Sequence, residues 1–356
     1  MAKMTSCERI KRMYEHRPAD RVPMMDGPWG STIERWQREG LPKDTSWVEY
    51  FDLDPCGGFG VDTSPHYPEK TIEETDTYRT YTTSWGATMR NWKHATSTPE
   101  FLDFTIKGPD AWREAKKRMT PTEDRIPWEQ LKADFPKWRQ QGAWIGTGLW
   151  FGYDVTASWI VGTERVLMAL IDDPEWMVDM FNHFLNTNLA LLDKVWDAGY
   201  HFDGIGWCDD LGFKHNQFMS VGMYRQLLKP VMKRAVDWAH AKGLVVELHS
   251  CGDVNPFVPE FVEIGIDCLN PLEVKAGMDP YALKKKFGDK LAFRGGLNAV
   301  LWDKVDVVEA EMKRLIPAMK QNGGYIFSSD HSIPDSVSFE NFKRIVELYK
   351  KLGSYE

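Results

Sequence analysis

A chain of 356 residues is long for one ordinary core, which leaves a single elaborated α/β barrel or two unequal domains. Its 44 Lys and Arg against 52 Asp and Glu give a formal charge of −8, a field that repels phosphate backbones and anionic lipid, so no nucleic acid and no membrane partner is expected. With 42% hydrophobic and 27% charged residues and no apolar run near ~20 residues, the chain reads as a soluble globular protein.

Residues 1–12 mix charge with apolar positions where an export signal needs a continuous apolar stretch, so a cytoplasmic location is the expectation. Thr5 and Glu8 have capping-box spacing and predict a first helix to about His16. Residues 21–25 then read as a short strand. Further apolar segments bounded by Gly, Pro, Asn or Asp recur at 58–61, 143–148, 202–207, 244–248, 266–270, 291–294 and 324–327, which makes eight strands. Helical patterns at 174–198, 221–242, 256–264, 281–287, 305–321 and 338–352 separate most of them. Strand and helix alternating to a count of eight predicts a closed parallel barrel of the α/β class. Residues 64–141 fall between the second and third strands and account for the surplus length. They hold an alternating stretch at 76–90 and two charged helical segments, read as a hairpin and a lid-like elaboration of one domain spanning 1–356. Five cysteines, Cys7, Cys56, Cys208, Cys251 and Cys268, are odd in number and scattered, which suits free thiols or metal ligands better than a disulfide framework. Sixteen tryptophans exceed the usual share; most suit core packing, and a few could line a flat or methylated substrate.

In a parallel barrel the C-terminal strand ends form the working face. His249 and Cys251 stand two apart at the close of an apolar strand, so continued strand geometry projects both to one face, where imidazole and thiolate together suit zinc. His331, at the end of the final strand, is a third candidate ligand, with Asp330, Glu273 and Cys268 in reserve. The bland alternative is a hydrogen-bonded core histidine beside an inert thiol. Asp209 and Asp210 place two like charges at one strand exit, an arrangement that raises one pKa and makes a proton donor or acceptor. Alternatively, Asp209 faces backbone amides and only Asp210 faces the cavity. Arg294, before two glycines, offers a cation to a carboxylate or phosphate. Residues 25–36, with Trp29, Arg35 and Trp36, suit a substrate-facing loop or packing at the barrel mouth. Cys208 adjoins the acidic pair, yet a lone thiol after an apolar run is more often buried than nucleophilic. No nucleophile elbow, P-loop or dinucleotide fingerprint is present.

The blocks Gly206-Trp-Cys-Asp-Asp-Leu-Gly212, His249-Ser-Cys-Gly-Asp253, Gly265-Ile-Asp-Cys-Leu-Asn-Pro-Leu-Glu273, Arg294-Gly-Gly-Leu-Asn298 and Ser328-Ser-Asp-His-Ser-Ile-Pro334, in this order, resemble the uroporphyrinogen decarboxylase superfamily across nearly the whole chain. The resemblance implies a distorted (β/α)8 TIM barrel. It also implies one of two chemistries: metal-free decarboxylation of a tetrapyrrole's acetate arms, or zinc-dependent methyl transfer between a corrinoid and a thiol. The decarboxylases resemble one another in an Arg-Gln-Ala-Gly-Arg type of loop after the first strand; residues 26–36 offer only Arg35 beside Asp26 and Glu34. The methyltransferase branch resembles this chain in its His-x-Cys pair, matched by His249 and Cys251. His331 takes the place of that branch's distant third cysteine, an imidazole for a thiolate.

By resemblance, then, the expected activity is zinc-dependent methyl transfer in the demethylation of a small methylated compound. Zinc would sit on His249, Cys251 and His331, and a corrinoid (methylcobalamin) would act on a partner protein or as substrate. Asp210, with Asp209, would orient substrate or handle a proton, and Trp29, Arg35, Trp36, Glu273, Arg294 and Asp330 would bind substrate. A homodimer is the superfamily's habit. The competing expectations are a metal-free carboxy-lyase, with Arg35 or Arg294 holding a carboxylate, and a ligand-binding barrel without turnover.

Overall fold

Thr5 and Glu8 close the expected capping box. The Thr5 hydroxyl accepts the Glu8 amide at 3.2 Å, Glu8 accepts the Thr5 amide at 2.8 Å, and the helix runs Ser6–Tyr14. From it the buried Arg9 donates to Asp20 at 2.7 Å and to Asp54 at 2.5 Å, while Arg21 donates to the other oxygen of Asp54 at 2.6 Å. Two guanidinium groups and two carboxylates thereby tie the opening helix to the base of the barrel. The computed structural model describes residues 3–94 and 98–355.

Seven parallel strands follow one another around a curled sheet in chain order: β1 Cys56–Phe59, β2 Trp144–Gly148, β3 Gly204–Cys208, β4 Val245–His249, β5 Cys268–Leu272, β6 Ala292–Gly295 and β7 Tyr325–Ile326. The architecture is a distorted TIM barrel. The eighth expected strand, residues 21–25, is a bridged segment and not a full strand. The Met25 amide donates to the Phe327 carbonyl at 3.1 Å and the Phe327 amide donates to the Pro23 carbonyl at 2.8 Å. Pro23 has no N–H for a ladder, and the Met24 amide turns to the Asp54 carboxylate at 2.9 Å, so a side chain holds the flank nearest β1.

The expected helix at 174–198 forms as Pro174–Asp197, and that at 338–352 as Phe339–Gly353, capped by Ser338. The one expected at 221–242 is broken into a short turn, a π-helical stretch Tyr224–Leu228 and a helix Lys229–Ala241. Pro230, which cannot donate to the preceding turn, supplies the reason. Residues 64–141 hold a four-stranded antiparallel sheet (Lys70–Glu74, Tyr78–Thr82, Ala87–Trp92, Glu100–Phe104) and the helices Pro109–Lys116 and Trp128–Gln140. No described helix is long and apolar enough to cross a membrane.

One side of the barrel interior is hollow. Parallel barrels usually fill this space with branched side chains, but here Gly58, Gly146 and Gly204 pair in one row across β1 to β3, and Gly148 pairs with Gly206 in the row above. A Cβ at Gly148 would meet nothing closer than the Gly206 carbonyl at 4.0 Å. The missing side chains leave a cavity of about 600 Å³ between Tyr14 and Trp144 at its lower end and Glu247 on β4.

Candidate metal centre

Register brings the site together. Cys208 closes β3, His249 closes β4 and Asn270 lies on β5, and the three are direct neighbours across the sheet. Asn270 Oδ1 accepts from Arg294 at 3.0 Å and lies 2.7 Å from His249 Nδ1. Arginine can only donate, so the shared atom is the amide oxygen, and Nδ1 must carry the histidine proton. In the neutral ring that leaves Nε2 with a lone pair. It points at Cys251 Sγ, 3.3 Å away, and at Asp210 Oδ1, 3.9 Å away. Asp210 Oδ1 lies 3.6 Å from Cys208 Sγ and accepts the Cys251 amide at 2.8 Å. One ligand atom each from Cys208, Asp210 and His249 falls within 4.8 Å of the other two.

Donor atoms around a tetrahedral zinc at ~2.0–2.3 Å stand roughly 3.3–3.8 Å apart. The His249–Cys251, Asp210–Cys208 and His249–Asp210 spacings of 3.3, 3.6 and 3.9 Å lie near that range, while the trio of Cys208, Asp210 and His249, which leaves out Cys251, is bounded only at 4.8 Å. The electrostatics suit a small cation. Burial first, then the Asp210 carboxylate, pushes both the Cys208 and the Cys251 thiols far above their ordinary range. Asp154, 3.9 Å from Cys208, is pushed up to about 6 by burial and by Asp210. A divalent cation among these groups would reverse that repulsion and hold the thiols as thiolates. The tie from His249 to Asn270 is the kind of outer support that metal-binding histidines use.

The other expected residues divide. Asp209 is fully buried and accepts the Asp154 amide at 2.8 Å, with its second oxygen unpartnered, whereas Asp210 is half-buried and turns to Cys208, His249 and the Cys251 amide. Glu273 accepts the Gly252 amide at 2.6 Å and braces the turn that carries Cys251. Asp330 is fully buried and accepts the Ala299 amide at 2.7 Å. His331 stands outside the donor cluster, on a loop pinned to the first turn by Ser329 donating to Asp26 at 2.6 Å, with its ring stacked on Trp29 at 5.9 Å. Trp36 is a core residue and not a cavity wall: it is fully buried, stacks on Phe342 at 4.2 Å and donates to the Val337 carbonyl. Arg35 is committed to Glu39 and to the carbonyls of Asp335 and Ser336. Cys268 is buried two residues down β5 from Asn270.

Three participants were not singled out from the sequence. Asp154 follows the exit of β2, where the strand-end rule applies equally, and Asn270 sat within a quoted block. Cys208 reads from the sequence as a lone thiol beside the acidic pair, because His249 and Asp154 reach it from other stretches of the chain.

Two cavities meet at His249. One, of about 440 Å³, runs between Trp150, Asp154, Trp159 and Cys208. The other, of about 470 Å³, is bounded by Asp26, Asn270, Arg294 and His331. Arg294 is itself neutralised by Glu247 at 3.0 Å.

The model of the family described as Uroporphyrinogen decarboxylase (URO-D) matches residues 155–352, more than half of the chain and all of β3 to β7. The chain belongs to the uroporphyrinogen decarboxylase family. A uroporphyrinogen decarboxylase from Vesicomyosocius okutanii is 37% identical over 68 residues, an alignment that spans 19% of this chain and 20% of that protein. A methyltransferase from Methanosarcina mazei has the same fold at 16% identity, with a TM-score of 0.66 over 98% of this chain and 99% of its own. A decarboxylase matched in sequence and a methyltransferase matched in fold thus stand beside this chain, and the choice between the two chemistries rests on the site.

Proposed function

We propose that this protein is a zinc-dependent methyltransferase of the uroporphyrinogen decarboxylase family, moving a methyl group between a corrinoid and a thiol or similar acceptor in the demethylation of a small methylated compound. The observation that carries the reading is the His249 ring, held at Nδ1 by Asn270 with Nε2 turned toward Cys251 and Asp210, and with Cys208 alongside. His249 and Cys251 would hold the metal, with Cys208 or Asp210 as third donor and His331 as the alternative from the facing rim. When bound, the ion would supply a Lewis acid that makes a thiolate available at neutral pH.

The chain's own residues do the rest. Asn270 and Arg294 fix the imidazole, Glu273 braces the turn behind Cys251, and Asp210 stands where it can orient a substrate or take a proton. The two cavities that meet at His249 give donor and acceptor separate approaches to one point. Residues 64–141 act as a lid, since Trp85 and Phe101 from this insertion pack on Trp150 and Trp159 at the edge of the smaller cavity. A corrinoid-carrying protein would dock at that mouth.

Metal-free decarboxylation is the second reading, favoured by Arg294 in the polar cavity with Nε free of any hydrogen-bond partner. It is weakened by the two arginines themselves. Arg35 is spent on a loop, and the charge of Arg294 is already balanced by Glu247, which leaves little to neutralise several carboxylates. Metal analysis of protein purified without chelator separates the readings. Zinc near one per chain, lost in Cys251→Ala, supports methyl transfer; protein that takes up no zinc even when it is supplied, and decarboxylates, overturns it.

A further inference from the structure

The 440 Å³ cavity has a wall that the metal cluster does not explain. Trp150 and Trp159 line it with their rings at 86° to one another and centroids 5.7 Å apart, so two indole planes form a corner. Trp150 is 37% exposed, yet its backbone is fixed from both directions. The buried Asn188 accepts its amide at 3.2 Å and donates to its carbonyl at 3.1 Å. Trp159 rides a π-helical stretch, Val155–Val161, that begins immediately after Asp154. Asp154 completes the third side, held by the Ser158 hydroxyl at 2.7 Å. Among the residues lining this cavity there is no lysine or arginine, and of its two acidic side chains only Glu247 has an arginine partner.

Perpendicular indoles with a carboxylate and no competing cation make a poor receptor for an anion and a good one for a bulky, weakly hydrated cation. We propose that this corner binds the methylated ammonium head of a small cationic compound, with its methyl groups against Trp150 and Trp159 and its charge facing Asp154. The proposal deepens the methyl-transfer reading and rests on it for its biological sense: the same cavity reaches Cys208 and His249, so a methyl group held in the corner lies beside the donor cluster.

Calorimetric titration of the full chain with choline and with its neutral isostere 3,3-dimethyl-1-butanol tests this directly. Choline should bind at least about tenfold more tightly than the isostere. Asp154→Asn should remove most of that preference without changing the isostere's affinity, and Trp159→Leu should weaken choline by a similar factor. Trp159→Phe, which keeps an aromatic face, should retain part of the binding and guards against a misfolded leucine variant. Equal affinity for choline and its isostere, or choline binding untouched in Asp154→Asn, overturns the proposal. Zinc content measured on the same samples keeps the two ideas separate. Zinc without cation preference sinks this inference alone, and cation preference in protein that cannot bind zinc sinks the methyl-transfer reading alone.

Discussion

At the scale of single residues, the site depends on who donates to whom around Asn270. Its oxygen takes protons from both Arg294 and His249, which fixes one tautomer and turns the free nitrogen toward the thiols. Asn270→Ala should therefore lower zinc affinity by roughly 10–100-fold while leaving His249 in place, measurable by competition with a chromophoric chelator. Cys251→Ala should lose more, since it deletes a donor outright. The nearness of His249 and Cys251 follows from their closeness in sequence, but not from strand alternation: the strand ends at His249, and Cys251 is placed by a turn whose amides bond to Asp210 and Glu273. The nearness of Cys208 was not legible in the sequence, because it depends on the register between β3 and β4, and no local pattern encodes that register. Trp36 shows the opposite failure. An aromatic in a mixed loop looked available, whereas the helix Gly30–Arg38 turns it into the core against Phe342.

At the scale of elements, the sequence announced the strands through their boundaries and the long helices through their period, and proline broke both rules. Pro23 thins the first strand to a bridge, and Pro230 replaces a continuous helix by a π-helical stretch. The glycines of β1 to β3 were visible as residues but not as a hollow, because emptiness is a property of three strands side by side. Their purpose can be tested by filling the space. A Cβ at Gly148 has room, so Gly148→Ala should leave the melting temperature unchanged or slightly higher, by the ~0.5–1 kcal/mol that restricting a strand glycine contributes. Substrate binding should weaken, seen as a higher KM with an intact fold. At the far end, Ser338→Ala should cost about 1 kcal/mol of stability in denaturant titration, since its hydroxyl accepts the Asn341 amide at 3.2 Å.

For the molecule as a whole, the cluster of Arg9, Asp20, Arg21 and Asp54 joins helix, first segment and β1. Burial alone would raise the Asp20 carboxyl, but hydrogen bonds from Arg9 and the Met4 amide outweigh it and hold it down to about 2. A carboxyl whose pKa falls on folding lends stability above its unfolded value near 3.8, and that contribution disappears as pH drops from about 4 toward 2. Unfolding free energies measured at pH 5 and pH 3 should differ by ~1–2 kcal/mol on this account. Arg9→Met should flatten that acid dependence and lose about 3 kcal/mol at neutral pH, because it removes a shared cation from Asp20 and from the fully buried Asp54, which keeps only Arg21.

The bridged seam carries a consequence for how the ring is made. Residues near 23 and 327, and again Val22 and Gly353, meet although more than 300 residues separate them in sequence. During synthesis the early segment can meet Asp54 but has no backbone mate until β7 leaves the ribosome, so the growing circle remains a gapped arc with one raw margin. Its closing stone is also the last one quarried.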